Sequence, residues 1–180
     1  METYKLKNGK TLEIVQDNNP DSPREWDNMG TMICFHGRYN LGDKHNYDHK
    51  DYSGWEEMET AIIKNESPAV ILPLYLYDHS GITISTSPFS CGWDSGQIGF
   101  IFVSKEKLKK ELNVKRITKD IIQRAEKCLL GEVNTYDQYL TGDVYGYKVI
   151  DEQGNEEDSC WGYYGEDSIK DEFKNELEVC

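Results

Sequence analysis

The six residues Ile98-Gly99-Phe100-Ile101-Phe102-Val103 carry no polar side chain. A strand with one wet face alternates apolar and polar residues, so an unbroken run of this kind predicts a strand buried within a sheet. Ala69–Tyr77 contains Val70-Ile71-Leu72 and reads as its neighbour. Gly81–Ser85 sets Ile82 and Ile84 against Thr83 and Ser85, and Thr31-Met32-Ile33-Cys34-Phe35 reads as another buried strand. Together they predict the core of the sheet.

Around this core the punctuation is local. Asn8-Gly9, between Tyr4–Lys7 and Lys10–Val15, predicts a hairpin with a two-residue turn. Val144–Ile150 and Ser159–Tyr164 predict a second hairpin around Glu152-Gln153-Gly154-Asn155. Helices are expected over Trp55–Lys64 with Ser53 as cap, over Lys105–Leu112, and from Thr118 onward, where Ile121, Ala125, Leu129 and Val133 recur every four residues. A thin stripe of Ile169, Phe173 and Leu177 predicts a last helix over Asp167–Val179. Strands at both ends with helices between them indicate an α+β fold, a mostly antiparallel sheet packed by a long central helix and an acidic C-terminal helix. With 180 residues and no repeat or linker, one domain spanning 1–180 is expected.

Charge narrows the partners. The chain carries a formal −13, which argues against a basic face that wraps DNA. Residues 105–127 nevertheless hold nine basic and four acidic side chains, whereas residues 151–180 hold eleven acidic and two basic. An acidic block is most often a solvated face; its functional alternative is recognition of a basic partner. No apolar run approaches the roughly 18–20 residues that span a bilayer, and Met1-Glu2-Thr3-Tyr4-Lys5 lacks the apolar core of a secretory signal, so no membrane association and a cytoplasmic location are expected. The five cysteines are dispersed and odd in number, which suits reduced thiols, and their spacing gives a zinc site little support.

Three constellations could carry chemistry. In the first, Cys91 is a nucleophile, His79 its base, and Asp78 or Asp94 orients the imidazole, with Ser95 and the amides near Gly92 and Gly96 facing a developing oxyanion. The bland reading makes Cys91 a small buried residue and His79 a turn residue, and it is preferred. In the second, Asp43, His45, Asp48, His49 and Asp51 could ligate a transition metal, but they match no calcium or zinc motif, and a solvated loop is preferred. No metal and no cofactor are therefore expected. The third is aromatic: Trp26, Tyr39, Tyr47, Tyr52 and Trp55 lie in or beside long loops, and Trp161, Tyr163 and Tyr164 lie in a glycine-flanked strand. Many belong to the core, and the exposed ones are candidate interface anchors.

Four segments also carry a resemblance: Pro23–Met32 (PREWDNMGTM), Arg38–Asp43 (RYNLGD), Leu72–Gly81 (LPLYLYDHSG) and Cys91–Gln97 (CGWDSGQ), continued by Asp158–Gly165 (DSCWGYYG). They resemble a family of small acidic proteins encoded by phages and other mobile elements of Firmicutes. The resemblance implies an anti-defence factor, including inhibitors of the type II-A guide-RNA nuclease (anti-CRISPR proteins), and brings no catalytic residues with it. The expected function is thus inhibition of a host defence nuclease, by binding it or its RNA or DNA complex through an acidic, aromatic-rich surface. The expected contact residues are Glu156, Glu157, Asp158, Trp161, Glu166, Asp167, Asp171 and Glu172. Two alternatives stand beside it: a cysteine-dependent hydrolase or transferase using Cys91, His79 and Asp94, and an accessory protein that contacts nucleic acid through the basic segment 105–127.

Overall fold

A computed structural model describes residues 1–178. In chain order the strands are β1 (Glu2–Lys5), β2 (Thr11–Gln16), β3 (Thr31–Cys34), β4 (Pro68–Asp78), β5 (Ile82–Ser85), β6 (Ser95–Ser104), β7 (Val144–Ile150) and β8 (Glu156–Tyr164). The helices are α1 (Trp55–Glu66), α2 (Lys105–Glu111), α3 (Lys119–Thr141) and α4 (Asp167–Glu172). The architecture is α+β with antiparallel pairing, as the sequence predicts, and the strands divide between two four-stranded sheets, β1-β2-β7-β8 and β3-β6-β4-β5. Contacts gather into two compact units, one made of Met1–Ser22 with the chain from Gln138, the other of Pro23–Asp137.

In the second unit the apolar run becomes the inner strand β6. Met32 stands opposite Ile101 and Ile33 opposite Phe100, so alternate pairs face opposite sides of the sheet. On one side Ile33, Phe100 and Phe102 pack with Met58 and Ile62 of α1. On the other, a methyl at Gly30 would strike both Leu129 of α3 and Ile101 of β6, which marks where helix and sheet close together. Cover on both faces is why Ile98–Val103 contains no polar residue. Gly99 is required for a different reason: a Cβ there would lie 1.9 Å from the Ile33 carbonyl oxygen, so only glycine lets β3 approach β6.

The stripe on α3 is buried as its spacing predicts, at Ile121, Ala125, Leu129 and Val133, and extends to Tyr136. Thr118 caps the helix, its Oγ1 accepting from the Ile121 N–H at 3.4 Å, and Ser104 caps α2 by accepting from Lys107 at 3.1 Å. The expected cap of α1 differs. Gly54 occupies the N-cap, and Ser53 donates both its N–H and its hydroxyl to the Glu57 carboxylate at 2.7 Å.

In the first unit, Leu6, Leu12, Ile14, Tyr147 and Val149 form a core closed by Ile169 and Phe173. The first hairpin is longer than a two-residue turn. Leu6 N–H donates to the Lys10 carbonyl at 3.0 Å, and Gly9 takes φ +84°, giving a three-residue loop with glycine in the left-handed position. The C-terminal helix is shorter than expected. It ends at Glu172, after which Lys7 N–H bonds the Glu176 carbonyl at 2.8 Å and Leu177 bridges Leu6, while Val179 lies outside the described residues.

Candidate functional site

The acidic contact residues fall on β8 and α4, both in the first unit. As the outer strand of its sheet, β8 leaves Glu156 through Gly162 exposed. Its register sorts them. Asp158 stands opposite Val149 and Cys160 opposite Tyr147, on the core side, whereas Ser159 and Trp161 stand opposite Lys148 and Gly146 on the other. Trp161, 46% exposed, lies over Gly146, where any Cβ would meet the indole at 2.3 Å. Asp158 and Trp161, grouped in the sequence, therefore face opposite sides of the strand.

On the core side a cleft of about 350 Å³ collects Glu157, Asp158, Glu172 and Glu176 around Tyr147 and Phe173, with Lys10 as the cation in its lining. Two phenols position the acids. Tyr147 Oη donates to Asp158 at 3.1 Å, and Tyr163 Oη donates to Glu172 at 2.6 Å. Burial, reinforced by the Asp158 hydrogen bond, pushes the Tyr147 phenol up to about 12, and burial with Glu172 raises Tyr163 as well. Both tyrosines thus remain donors at neutral pH, leaving the carboxylate lone pairs directed by their phenols. Tyr147 meets Phe173 edge-on at 4.8 Å and Tyr163 at 5.8 Å, giving the cleft an aromatic floor. Carboxylates at the rim of an aromatic floor suit an arginine or lysine side chain.

Some of the expected contacts, the cleft's Glu157 among them, are already paired. Lys10 pairs with Glu157, Lys148 holds Glu156 at 2.7 Å, and Lys170 pairs with Glu166. Hydrogen bonding to Lys148 lowers Glu156, and the bond to Glu157 raises Lys10. Asp167 begins α4 and Asp171 lies near its end. Glu176, absent from the expected set, reaches the cleft because the chain leaves α4 early; the apolar stripe through Leu177 concealed this.

The thiol constellation is half assembled. His79 Nδ1 lies 3.1 Å from Asp94 Oδ2, with the imidazole side chain 63% exposed and stacked on Tyr77. Cys91 makes no hydrogen bond with His79 among the described residues; its carbonyl accepts from Ser95 Oγ. Asp78 is turned elsewhere, toward Arg38 and, at 3.6 Å, His36. Next to Cys91, Trp93 stands 97% exposed. A fully exposed ring of this kind is a candidate interface anchor, and it is absent from the expected contact set.

The Asp/His loop does not converge into a group of metal ligands among the described residues. Asp43 receives two Arg24 nitrogens at 2.9 and 2.7 Å and the Met32 N–H at 2.8 Å. Asp48 caps a short 3-10 turn by accepting from Lys50 N–H at 3.0 Å. In the basic segment, Lys105, Lys109, Lys115 and Arg116 surround Ala69, Ile117 and Ile122 in a depression of about 360 Å³ whose lining contains no carboxylate. Among the described residues, no helix is long and apolar enough to cross a membrane. Comparison of the chain with protein-family models, curated proteins and solved structures finds no match.

Proposed function

We propose that the protein acts by binding, as an anti-defence inhibitor whose acidic cleft takes an arginine or lysine from the nucleic-acid-binding surface of a host nuclease. The observation that carries this reading is the convergence of Glu157, Asp158, Glu172 and Glu176 on the Tyr147–Phe173 floor. Cations that ordinarily hold phosphates recognise carboxylates by the same charge-assisted hydrogen bonds, and two aimed phenols reduce the cost of ordering the acceptors. The attraction is electrostatic, so affinity falls as salt rises.

The test is cleavage by a purified type II-A guide-RNA nuclease with the wild-type chain and with an Asp158→Asn/Glu172→Gln variant, at low and moderate salt. Inhibition that weakens with salt and drops at least about tenfold in the variant, equivalent to 1.4 kcal/mol, supports the reading. Inhibition indifferent to both changes, or none by the wild type, overturns it.

A second reading is favoured by the carboxylate-free depression at Lys105, Lys109, Lys115 and Arg116. It makes the protein a nucleic-acid accessory that holds phosphates there. Titration with duplex and single-stranded DNA tests it; binding that disappears in a Lys115→Gln/Arg116→Gln variant supports it.

A further inference from the structure

A cavity of about 770 Å³ opens in the second unit between the end of β3 and the start of α1. That volume lies within the roughly 300–1,000 Å³ of small-molecule sites. Its walls present three flat apolar or amphipathic rings, Phe35, Tyr39 and Trp55, and three of the chain's four histidines, His36, His45 and His49. The rings pack in two groups: Phe35 meets His45 edge-on at 4.9 Å and His49 at 5.7 Å, with His49 against Trp55 at 5.1 Å, while His36 stacks on Tyr39 at 5.1 Å.

Two further properties define what fits. The first is charge. Lys44 and Lys50 line the cavity and have no ion-pair partner among the described residues, while the one carboxylate of the lining, Asp43, is turned to Arg24. A cationic cavity in a chain of net charge −13 selects anions.

The second is a buried acceptor. His45 Nε2 lies 3.2 Å from the Cys34 carbonyl oxygen, which can only accept, so Nε2 carries a proton. In the neutral ring Nδ1 is then an acceptor, and it is buried with no hydrogen-bond partner among the described residues. An unmet buried acceptor is costly, and a ligand that donates an N–H or O–H to it relieves that cost.

We propose that this cavity binds a nucleoside monophosphate group, with the base against the aromatic walls, a base amine or ribose hydroxyl donating to His45 Nδ1, and the phosphate held by Lys44 and Lys50. Inorganic phosphate would leave the rings and the His45 acceptor unused. A nucleoside without phosphate would leave the lysines unused. The group can be a free nucleotide or the 5′ end of a strand, and the residues of the site belong to a different unit from those of the acidic cleft.

Titration calorimetry on the full chain tests the proposal with AMP, GMP, CMP and UMP, the matching nucleosides, inorganic phosphate and a 5′-phosphorylated dinucleotide. The expected result is a Kd below about 1 mM for at least one monophosphate, about tenfold tighter than its nucleoside or phosphate alone. Lys44→Gln/Lys50→Gln, altering two exposed side chains, weakens the monophosphate about tenfold and leaves the nucleoside unchanged; His45→Phe weakens both. A dinucleotide that binds as tightly as the mononucleotide assigns the site to strand ends, and one that binds more weakly assigns it to free nucleotides. No binding by any of the four monophosphates, or wild-type affinity in the lysine variant, overturns the proposal. Because those two lysines are exposed, the lysine variant decides the matter even if His45→Phe fails to fold.

Discussion

Arg24 grips Asp43 with two nitrogens, Nε at 2.9 Å and Nη2 at 2.7 Å, across nineteen residues of chain. The same guanidinium reaches Glu132 of α3 at 3.1 Å and the Gly30 carbonyl at 2.9 Å. Its side chain is only 5% exposed, so this one residue ties the approach to β3, the loop after β3 and the long helix together. Glu132 is held in turn by the N–H groups of Met29 and Gly30, at 2.8 and 3.0 Å. Replacing Arg24 with Met leaves two poorly exposed carboxylates without their cation, and the expected cost is about 3–5 kcal/mol. Urea unfolding of Arg24→Met measures it, and Arg24→Lys recovers only part, since an ammonium cannot match the carboxylate with a two-pronged fork.

Gly99→Ala tests the tight pairing of β3 and β6. The new methyl would sit 1.9 Å from the Ile33 carbonyl oxygen, a backbone atom that cannot rotate away. A loss of about 3 kcal/mol is expected, at the upper end of overpacking penalties, with earlier hydrogen exchange at Ile33 and Phe100. At Gly146 an added Cβ would lie 2.3 Å from the Trp161 ring and 2.8 Å from the Cys160 carbonyl oxygen. In Gly146→Ala the indole must tilt away and the strand pairing must also give, so a loss of stability and a red shift of the Trp161 fluorescence are expected.

The sequence made the second sheet legible wherever one residue type had one reason to be present. An unbroken apolar run means two covered faces, and Thr118 before a four-residue apolar spacing means a helix start. It was less legible where one pattern serves two structures. Ile169, Phe173 and Leu177 have helical spacing, yet Leu177 meets the same core from an extended segment bridged to Leu6. The acidic cleft needed the register of β8, and the bulges between Tyr145 and Gly146 and between Val149 and Ile150 shift that register out of reach of simple alternation. Arg24 with Glu132, separated by 108 positions, left no local trace.

Trp93 is a clean probe of interface use because it contributes almost nothing to packing at 97% exposure. Trp93→Ala is expected to change stability by no more than about 0.5 kcal/mol and to remove the most solvent-exposed indole emission. A thermal melt coincident with the wild type, together with weaker inhibition of the nuclease, would identify this ring as a binding anchor.

Thiol reactivity separates the binding and cysteine-catalysed readings. Cys34 is buried, and burial followed by the nearby Asp43 charge pushes its thiol up to about 12, so it is almost entirely protonated at pH 8. Cys160 is exposed on β8. Iodoacetamide at pH 8 is expected to label Cys160 early and Cys34 only on unfolding, with Cys91 no faster than Cys160. Peptide mass mapping against time checks the order, and a Cys91 that reacts many times faster than Cys160 would favour the enzyme.

Alkaline pH should weaken the acidic cleft and the first unit together. Burial, with the Asp158 hydrogen bond, pushes the Tyr147 phenol up to about 12 in the folded chain, above the value near 10 of an unfolded tyrosine. Between those values the folded state retains a proton that the unfolded state has lost, so the contribution is complete below about pH 10 and disappears as pH rises toward about 12. Lys10 and Lys148, raised by their bonds to Glu157 and Glu156, act in the same direction when they deprotonate. The urea midpoint is therefore expected to fall between pH 10 and 12. Tyr147→Phe, which lacks the titrating hydroxyl, should show a shallower fall over that interval, and an equal slope in the two chains would mean that the Tyr147–Asp158 bond does not couple folding to pH.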